Sequence, residues 1–455
     1  MLENWRVSGV WWLPEAADQR STGILVYDSQ NGARLIDIVG PLAPAQPQLG
    51  PGPEVILGYD HSGARFTCVQ SYWTGHQTNQ ANLNVAKMDI ELVIKGRHFN
   101  SREDIQFRRF QCDYSNLHAW LFGLPPLNVS YPNDTTISIE VLRGDLWDVT
   151  VGQDVRLRNS YNRTGHISAH PDHQFRVGHR DSLWATYGAA VSPETFCQHQ
   201  RVFRTLVDLL GHCQLQVAAI KAGVTPAGTD TEIFYHSYFS RNERRDADRD
   251  RMPVRFVEIQ ERFNHVVETW FTLFPQLNSI VSLYFLGQDG RSLTMENLFL
   301  GILQAVEAFH RTFYAGIYVA PDYYEQQIRP ILVNAIPVGL DPPFRQSLIA
   351  RLRFAYEHSL RNRLRELVAT LPETAAFAEA RNAEFLARTV NTRNRFTHVV
   401  VDPEPIFEGG ALYTATKIWQ EVLVALVMAR IDLTPQEIDR AIRRMQATRG
   451  VFVEL

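Results

Sequence analysis

The sharpest chemical feature of the sequence is the hexapeptide RNRFTH at residues 393–398. Histidine titrates near neutral pH and can move a proton to or from a ribose 2′-hydroxyl or a leaving oxygen. Arginine keeps its charge and can stabilise negative charge that develops on a phosphate. Asparagine can position either group or the substrate. We therefore select Arg393, Asn394 and His398 as a candidate set for cutting RNA without a metal ion.

The spacing alone is a weak signal. The chain has 45 basic residues, nearly all arginine, and 15 histidines, so about 1.4 arginine–histidine pairs of this spacing are expected by chance. Arg353 and His358 form a second such pair. Requiring asparagine directly after the arginine lowers the chance expectation to about 0.06, and only Arg393 meets that condition. Because Phe354 follows Arg353, we interpret the second pair as structural.

The region around the motif is locally basic. Residues 345–398 contain ten arginines, five acidic residues and no lysine, in a chain whose formal net charge is −4. A local basic surface of this kind is compatible with RNA binding. From it we select Arg353, Arg361, Arg365 and Arg395 as candidate RNA contacts. Taken alone, arginines on one helix favour the plainer interpretation of a solvated face.

The spacing within the motif restricts its geometry. Residues five apart on a helix lie roughly 140° from each other around the axis. Arg393 and His398 therefore converge only at a helix end or against a partner surface, and the segment DPEP at residues 402–405 predicts such an end. We expect two copies of the chain to pair through this region, most simply as a C₂ dimer.

The predicted secondary structure before the motif changes along the chain from mostly strands to a mixture of helices and strands. Residues 1–190 predict a β-rich domain, sandwich-like or barrel-like, because residues 87–95 alternate between apolar and polar and shorter runs follow the same pattern. Residues 191–290 predict a mixed α/β connector, with a helix that begins at Ser192-Pro193 and an exposed loop at residues 241–251. The shorter strand-like runs lie at residues 23–27, 34–39, 55–59, 66–73, 136–142, 214–220 and 232–238.

Residues 291–455 predict an all-α bundle. Apolar side chains recur at helical spacing in three stripes, and Thr434-Pro435-Gln436-Glu437 is typical of a capped helix start. The predicted fold class is therefore α+β and multidomain. The stripes are Leu298, Ile302, Val306, Phe309 and Phe313; Leu348, Leu352, Ala355 and Leu364; and Leu412, Ala415, Trp419, Val422 and Leu426.

Other candidate sites are weaker. The histidines His166, His170, His173 and His179 match no known metal-ligand spacing, and a second possible zinc set consists of Cys197, His199, His212 and Cys213. We favour buried cysteines over zinc ligands, because Cys197 and His199 point in different directions on a helix. The residues Trp5, Trp11 and Trp12 could stack on a sugar or base, although core tryptophans are more common. No cofactor is predicted.

The cysteine pattern and the absence of targeting signals predict where in the cell the protein is found. The cysteines Cys68, Cys112, Cys197 and Cys213 form no CxxC pair, which is typical of a reduced intracellular protein. We find no signal peptide and no apolar run long enough to cross a bilayer. The expectation is a cytoplasmic protein without a membrane partner.

Six stretches of the chain resemble the ApeA-like group of HEPN proteins. The RNxxxH motif of that group is matched at Arg393, Asn394 and His398, and the resemblance spans most of the chain. The other stretches are GVWWLP at 9–14, GILVY at 23–27, DYSNLHAW at 113–120, EAFHR at 307–311 and the helix start LY at 412–413.

The resemblance implies a bacterial anti-phage ribonuclease that acts in abortive infection. Its HEPN domain, residues 291–455 here, would cleave RNA without metal at a site built by two protomers and leave a 2′,3′-cyclic phosphate. The N-terminal domain would sense a phage-derived activator and control the nuclease. Two alternatives stay open: a non-catalytic HEPN scaffold, and a carbohydrate-binding β-domain with a helical regulator. Neither the RNA that is cut nor the activating signal follows from the sequence.

Overall fold

The computed structural model describes residues 4–44, 49–78, 84–121, 127–133, 136–141, 146–152, 154–167, 175–235, 251–286, 293–398 and 405–447. The chain divides into two compact units, Met1–Thr272 and Leu273–Leu455. The first is rich in strands and the second is helical, which confirms the predicted α+β class.

Fifteen strands are described in the first unit. They are β1 (Trp5–Trp12), β2 (Ser21–Asp28), β3 (Gly32–Val39), β4 (Gly50–Pro51), β5 (Val55–Asp60), β6 (Arg65–Thr78), β7 (Asn84–Lys95), β8 (Phe107–Ser115), β9 (Leu127–Asn133), β10 (Thr136–Val141), β11 (Asp148–Val151), β12 (Val155–Ile167), β13 (Phe175–Val191), β14 (Gln216–Gly223) and β15 (Thr231–Tyr235). Thirteen of them form one sheet, and β9 pairs with β10 separately.

Six strands of the sheet close into an antiparallel barrel in the order β7-β3-β2-β1-β5-β6, because β6 pairs back onto β7. The opposite edge of β7 pairs with β3 near Met88 and with β15 near Ile94. From β15 the sheet continues outward through β14, β8, β13, β12 and β11. The strand β7 thus belongs both to the barrel and to the extension.

The interior of the barrel is apolar and tightly packed. Trp11 on β1 is fully buried, and its indole N–H donates to the carbonyl of Gly23 at 3.1 Å. A Cβ atom at Gly58 on β5 would lie 2.2 Å from the indole ring of Trp11, so only glycine fits opposite this side chain. Trp5 packs on Tyr27 and Trp12 is 5% exposed, so these tryptophans are core residues rather than an open stacking surface.

Three helices accompany the strands: α1 (Leu117–Leu121), α2 (Pro193–Gly211) and α3 (Phe256–Ile259). The predicted start of α2 is confirmed, since Ser192 caps it by accepting from the backbone N–H of Thr195. Phe196 of α2 stacks on Phe110 of β8 at 4.4 Å. The strands β14 and β15 join the same sheet as the strands before residue 190. The predicted boundaries near 190 and 290 stay a prediction, and residues 236–250, with most of the predicted loop, lie outside the described residues.

The remaining helices are α4 (Phe263–Leu286), which spans the division between the units, α5 (Met295–Phe313), α6 (Pro321–Tyr323), α7 (Arg329–Asn334), α8 (Pro342–Leu352), α9 (Leu360–Ala369), α10 (Ala378–Arg381), α11 (Ala383–His398), α12 (Gly409–Arg430) and α13 (Pro435–Ala447). The helix α12 is buried along most of its length and packs against α5, α10 and α13. The predicted capping box of α13 is confirmed, because Thr434 and Glu437 exchange backbone-to-side-chain bonds.

One predicted helical stripe is wrong. The pattern from Leu348 to Leu364 indicates one helix, but α8 ends at Leu352 and α9 begins after Ser359. Ser359 caps α9 by accepting from the backbone N–H of Asn362. The intervening turn brings Glu357 opposite Ile317 in an isolated β-bridge, and this turn positions His358.

Gly58→Ala should destabilise the barrel by about 1–3 kcal/mol, the usual cost of forcing an extra carbon into a packed core. The matched control is Gly228→Ala, because a Cβ atom at Gly228 meets nothing within 4 Å. Urea unfolding followed by tryptophan fluorescence measures both variants. Equal stability of the two variants would contradict the packing described for Trp11.

Candidate functional site

The predicted catalytic motif lies at the C-terminal end of α11. The helix begins beyond Asn382, whose side-chain oxygen accepts from the backbone N–H of Glu384 at 2.8 Å, and it ends at His398. Arg393 is partly buried and donates from Nη1 to the side-chain oxygen of Asn394 at 3.3 Å. His398 is exposed on the last turn. The structure thus brings Arg393 and Asn394 together, whereas within the described residues His398 is hydrogen-bonded to neither.

Two bonds anchor the chain that returns after the motif. The hydroxyl of Thr392 accepts from the backbone N–H of Phe407 at 2.9 Å, and Arg388 donates to the carbonyl of Ile406 at 2.8 Å. The Arg388 guanidinium also lies 4.5 Å above the Phe407 ring. The indole of Trp419 on α12 donates to the hydroxyl of Thr389 at 3.2 Å. These contacts fix the part of α11 just before the motif against α12 and the segment that leads into it.

Because α11 is helical through His398, Arg393 and His398 leave the helix in different directions, roughly 140° apart. The side chain of Arg393 is hydrogen-bonded to its neighbour Asn394, whereas the side chain of His398 is exposed to solvent. One helix does not assemble the three groups around a single phosphate.

The predicted RNA-contact arginines are exposed but dispersed. Arg395 lies on α11, Arg361 and Arg365 lie on α9, and Arg353 follows α8 with its guanidinium 5.4 Å from the ring of Phe354. Arg365 donates to the side-chain oxygen of Asn362 at 3.2 Å. The arginine between them on α9, Arg363, is buried.

A buried polar cluster that sequence reasoning missed joins α5 to α9. His310 is fully buried and its Nε2 lies 2.8 Å from Glu366 Oε2, while Nδ1 of His358 lies 3.2 Å from the same oxygen. Arg363 donates to Nδ1 of His310 at 3.1 Å, to the carbonyl of His358 at 3.0 Å and to Glu357 at 2.7 Å. The one available signal was a histidine beside Phe309 in an otherwise apolar stripe.

The partner of His310 fixes its tautomer. A guanidinium can only donate, so Nδ1 of His310 must accept and its hydrogen is on Nε2, which donates to Glu366. Burial lowers the pKa of the His310 imidazole, so the ring is held neutral. The hydrogen bond from His310 lowers the pKa of the Glu366 carboxyl, which stays ionised.

The same cluster is the one set of three potential metal ligands among the described residues, with ligand atoms within 4.8 Å of one another. A metal at Nε2 of His310 would move the ring hydrogen to Nδ1, where it would face the donor-only guanidinium of Arg363. The cluster therefore does not fit a metal ion in this arrangement.

The structure gives no support to the two sets of possible metal ligands, the histidines and the cysteine–histidine set, in the N-terminal unit. His170 and His173 lie outside the described residues, as do the side chains of His166 and His179. Burial raises the pKa of the Cys197 thiol to about 12 and that of Cys213 well above its usual value, so both thiols stay protonated. His199 stacks on Tyr187 and hydrogen-bonds its hydroxyl at 2.9 Å. These residues are packed parts of the unit.

Two family models match the chain: ApeA N-terminal domain 1 over residues 6–270 and Apea-like HEPN over residues 300–437. The first match covers more than half of the sequence. The chain belongs to the ApeA-like HEPN family. No curated protein and no solved structure is matched by the chain.

Membership places the chain in a family of anti-phage HEPN nucleases, and HEPN domains are typically ribonucleases that dimerise. In this ApeA-like protein, α11 and the cluster around His310 both lie inside the matched HEPN segment. None of its described helices is long and apolar enough to cross a membrane.

Acid should loosen the junction of α5 and α9. The unfolded chain binds a proton at His310 near the ordinary histidine pKa of about 6.5, whereas the folded chain resists it, so stability falls as the pH drops below that value. The depressed pKa of Glu366 adds a loss in the same direction at lower pH. Hydrogen exchange of α5 and α9 peptides between pH 7.5 and 5, corrected for intrinsic rates, measures this.

His310→Gln should flatten the pH dependence of protection in these two helices, while His61→Gln, in an exposed turn, leaves it unchanged. An identical pH dependence in wild type and a folded His310→Gln protein would refute the role assigned to His310.

Proposed function

We propose that the protein is an anti-phage ribonuclease that cleaves RNA without metal at a site containing Arg393, Asn394 and His398. The main support is the RNxxxH motif on an accessible end of α11, inside the segment that matches the Apea-like HEPN model. His398 is exposed and can reach a substrate, and Arg393 is held by Asn394.

The proposed reaction needs one proton acceptor and one cation. The imidazole of His398 takes the proton of the ribose 2′-hydroxyl, and the oxygen attacks the neighbouring phosphorus. The bond from phosphorus to the 5′-oxygen breaks, and the leaving oxygen takes a proton from water. Arg393 stabilises the charge on the phosphate oxygens during transfer. The products carry a 2′,3′-cyclic phosphate and a 5′-hydroxyl.

The divergence of Arg393 and His398 on α11 favours a composite site. In a C₂ dimer, Arg393 of one copy and His398 of the other can face one phosphate, and symmetry repeats the site. The three motif residues include no carboxylate, the ligand that Mg²⁺ uses most in proteins. The proposed chemistry therefore relies on imidazole and guanidinium groups.

Mixing two inactive variants tests both the chemistry and the composite site. In EDTA, Arg393→Ala and His398→Ala should each lower cleavage by a factor of about 100 to 10,000. Subunit exchange between them should restore about a quarter of the wild-type sites, because half of the dimers are mixed and each holds one intact site. Sequencing of RNA ends measures cleavage and identifies cyclic phosphates.

Each other outcome has a distinct meaning. Wild-type cleavage by a folded His398→Ala protein would exclude the motif as the cleavage site. Absence of cleavage by the unmutated protein, both as the full chain and as the fragment 273–455, would favour the scaffold alternative. Inactive variants that never complement would place both residues in one copy. Activity lost in EDTA and restored by a divalent ion would contradict metal independence. His61→Ala, which changes an exposed histidine outside the helical unit, is the control.

We further propose that the unit Met1–Thr272 restrains the nuclease until a phage component binds it. A free ribonuclease in the cytoplasm would damage its own cell, and this unit contributes none of the motif residues. Such a ligand can act only through different affinities for the restrained and active states. The full chain is then harmless before infection.

Restraint predicts that the fragment 273–455 is toxic without phage, whereas the full chain is tolerated. Growth of cells expressing each protein measures toxicity, and His398→Ala in the fragment should remove it. Circular dichroism and light scattering establish that the fragment is folded and dimeric. A folded, dimeric and harmless fragment would show instead that the N-terminal unit helps to build the site.

A further inference from the structure

An exposed aromatic ring lies on the surface of the buried cluster. Tyr318 is 55% exposed, and its ring centroid lies 4.6 Å from that of His358. Asn362 on α9 donates a hydrogen bond to the Tyr318 hydroxyl. The ring is therefore accessible on one side and supported on the other.

The backbone holds Tyr318 in place. Its N–H donates to the carbonyl of Tyr356 at 2.8 Å, and the N–H of His358 donates to the carbonyl of Gly316 at 2.8 Å. Gly316 has φ +58°, and a Cβ atom there would lie 2.6 Å from Nη1 of Arg363. The buried arginine thus fixes the turn that presents the tyrosine, and ordering the ring costs little further entropy on binding.

The polar groups beside Tyr318 form a short chain. Asn362 donates to Tyr318, and its side-chain oxygen accepts from Nη1 of Arg365 at 3.2 Å. Arg365 and Arg361 are exposed on the same helix. Glu366, the nearest acid on α9, is bonded to His310 and His358. A held aromatic ring beside arginines is the usual surface for single-stranded RNA, where bases stack and phosphates are paired.

The cluster beneath this surface and the motif both contact α5. Phe299 near the start of α5 packs against Phe396 of the motif, with ring centroids 6.3 Å apart. His310 is eleven residues later on α5, which places it roughly 16 Å along the axis and within about 20° of the same face. Both residues are buried, so the separation measures how far apart the motif and the cluster lie along α5. It indicates a subsite away from the cleavage site rather than groups that share one phosphate.

We propose that Tyr318, Asn362 and Arg365 form a subsite for single-stranded RNA, in which a base stacks on the Tyr318 ring and Arg365 pairs with a phosphate. The inference rests on the proposed ribonuclease function and adds where the substrate strand runs outside the cleavage site. His358 packs against the Tyr318 ring, and the cluster beneath it has a structural role rather than binding a metal ion.

Fluorescence anisotropy with a labelled RNA oligonucleotide tests the subsite in full-length His398→Ala protein, which should bind without cutting. Adding Tyr318→Ala should weaken binding of the single strand by about 5- to 150-fold, the usual effect of losing one aromatic stack. Tyr318→Phe keeps the ring and should retain the affinity. Tyr323→Ala is the matched control, since Tyr323 is an exposed tyrosine of the same unit at 57%.

Equal affinities of folded Tyr318→Ala and Tyr323→Ala proteins would overturn the subsite. Zn²⁺ bound by the wild type and lost in His358→Ala would also overturn it in favour of a metal centre. The two proposals fail separately: a protein that binds RNA through Tyr318 but cuts it neither as the full chain nor as the fragment 273–455 keeps the subsite and loses the nuclease. RNA cleavage together with an unchanged RNA affinity of the Tyr318→Ala protein would keep the nuclease and exclude the subsite.

Discussion

The helical unit depends on a buried cation, the guanidinium of Arg363. Burying an arginine is costly unless its donors find acceptors, and this one bonds to His310, Glu357 and the carbonyl of His358. The acceptors belong to two parts of the unit: His310 lies on α5, and Glu357 and His358 lie in the turn between α8 and α9. The requirement to satisfy one charge therefore sets the tautomer of His310, the course of the turn and the need for glycine at position 316.

Arg393 differs from Arg363 in its hydrogen-bond partner, although both are arginines of the same unit. Its described partner is the neighbouring amide of Asn394 at 3.3 Å, a long bond to a neutral group. An arginine without a carboxylate partner keeps its capacity to pair with a phosphate oxygen. Pairing with Glu357 makes Arg363 structural, and pairing with Asn394 is compatible with the role proposed for Arg393. Local acceptors, rather than residue type, separate the two roles.

Local patterns predicted the caps of α2 and α13 and the buried stripe of α12, because each depends on neighbours within a few residues. The break between α8 and α9 was missed, since Leu348, Leu352 and Ala355 keep helical spacing past the last residue of α8 and only the cap at Ser359 opposes the pattern. Barrel closure and the His310 cluster were also beyond the sequence. They join residues such as Phe66 with Lys95, or His310 with Glu366, that no local period connects.

The two-edged pairing of β7 has a consequence for synthesis on the ribosome. All six barrel strands lie before residue 96, so the ring can close while the rest of the chain is still being made. The outer half of β7 then waits for β15, whose residues follow about 140 positions later. During that interval, the backbone from Leu92 to Lys95 is an unpaired strand edge that can form hydrogen bonds with an incorrect strand. This part of the β7 edge therefore acquires its partner only after β15 has been synthesised.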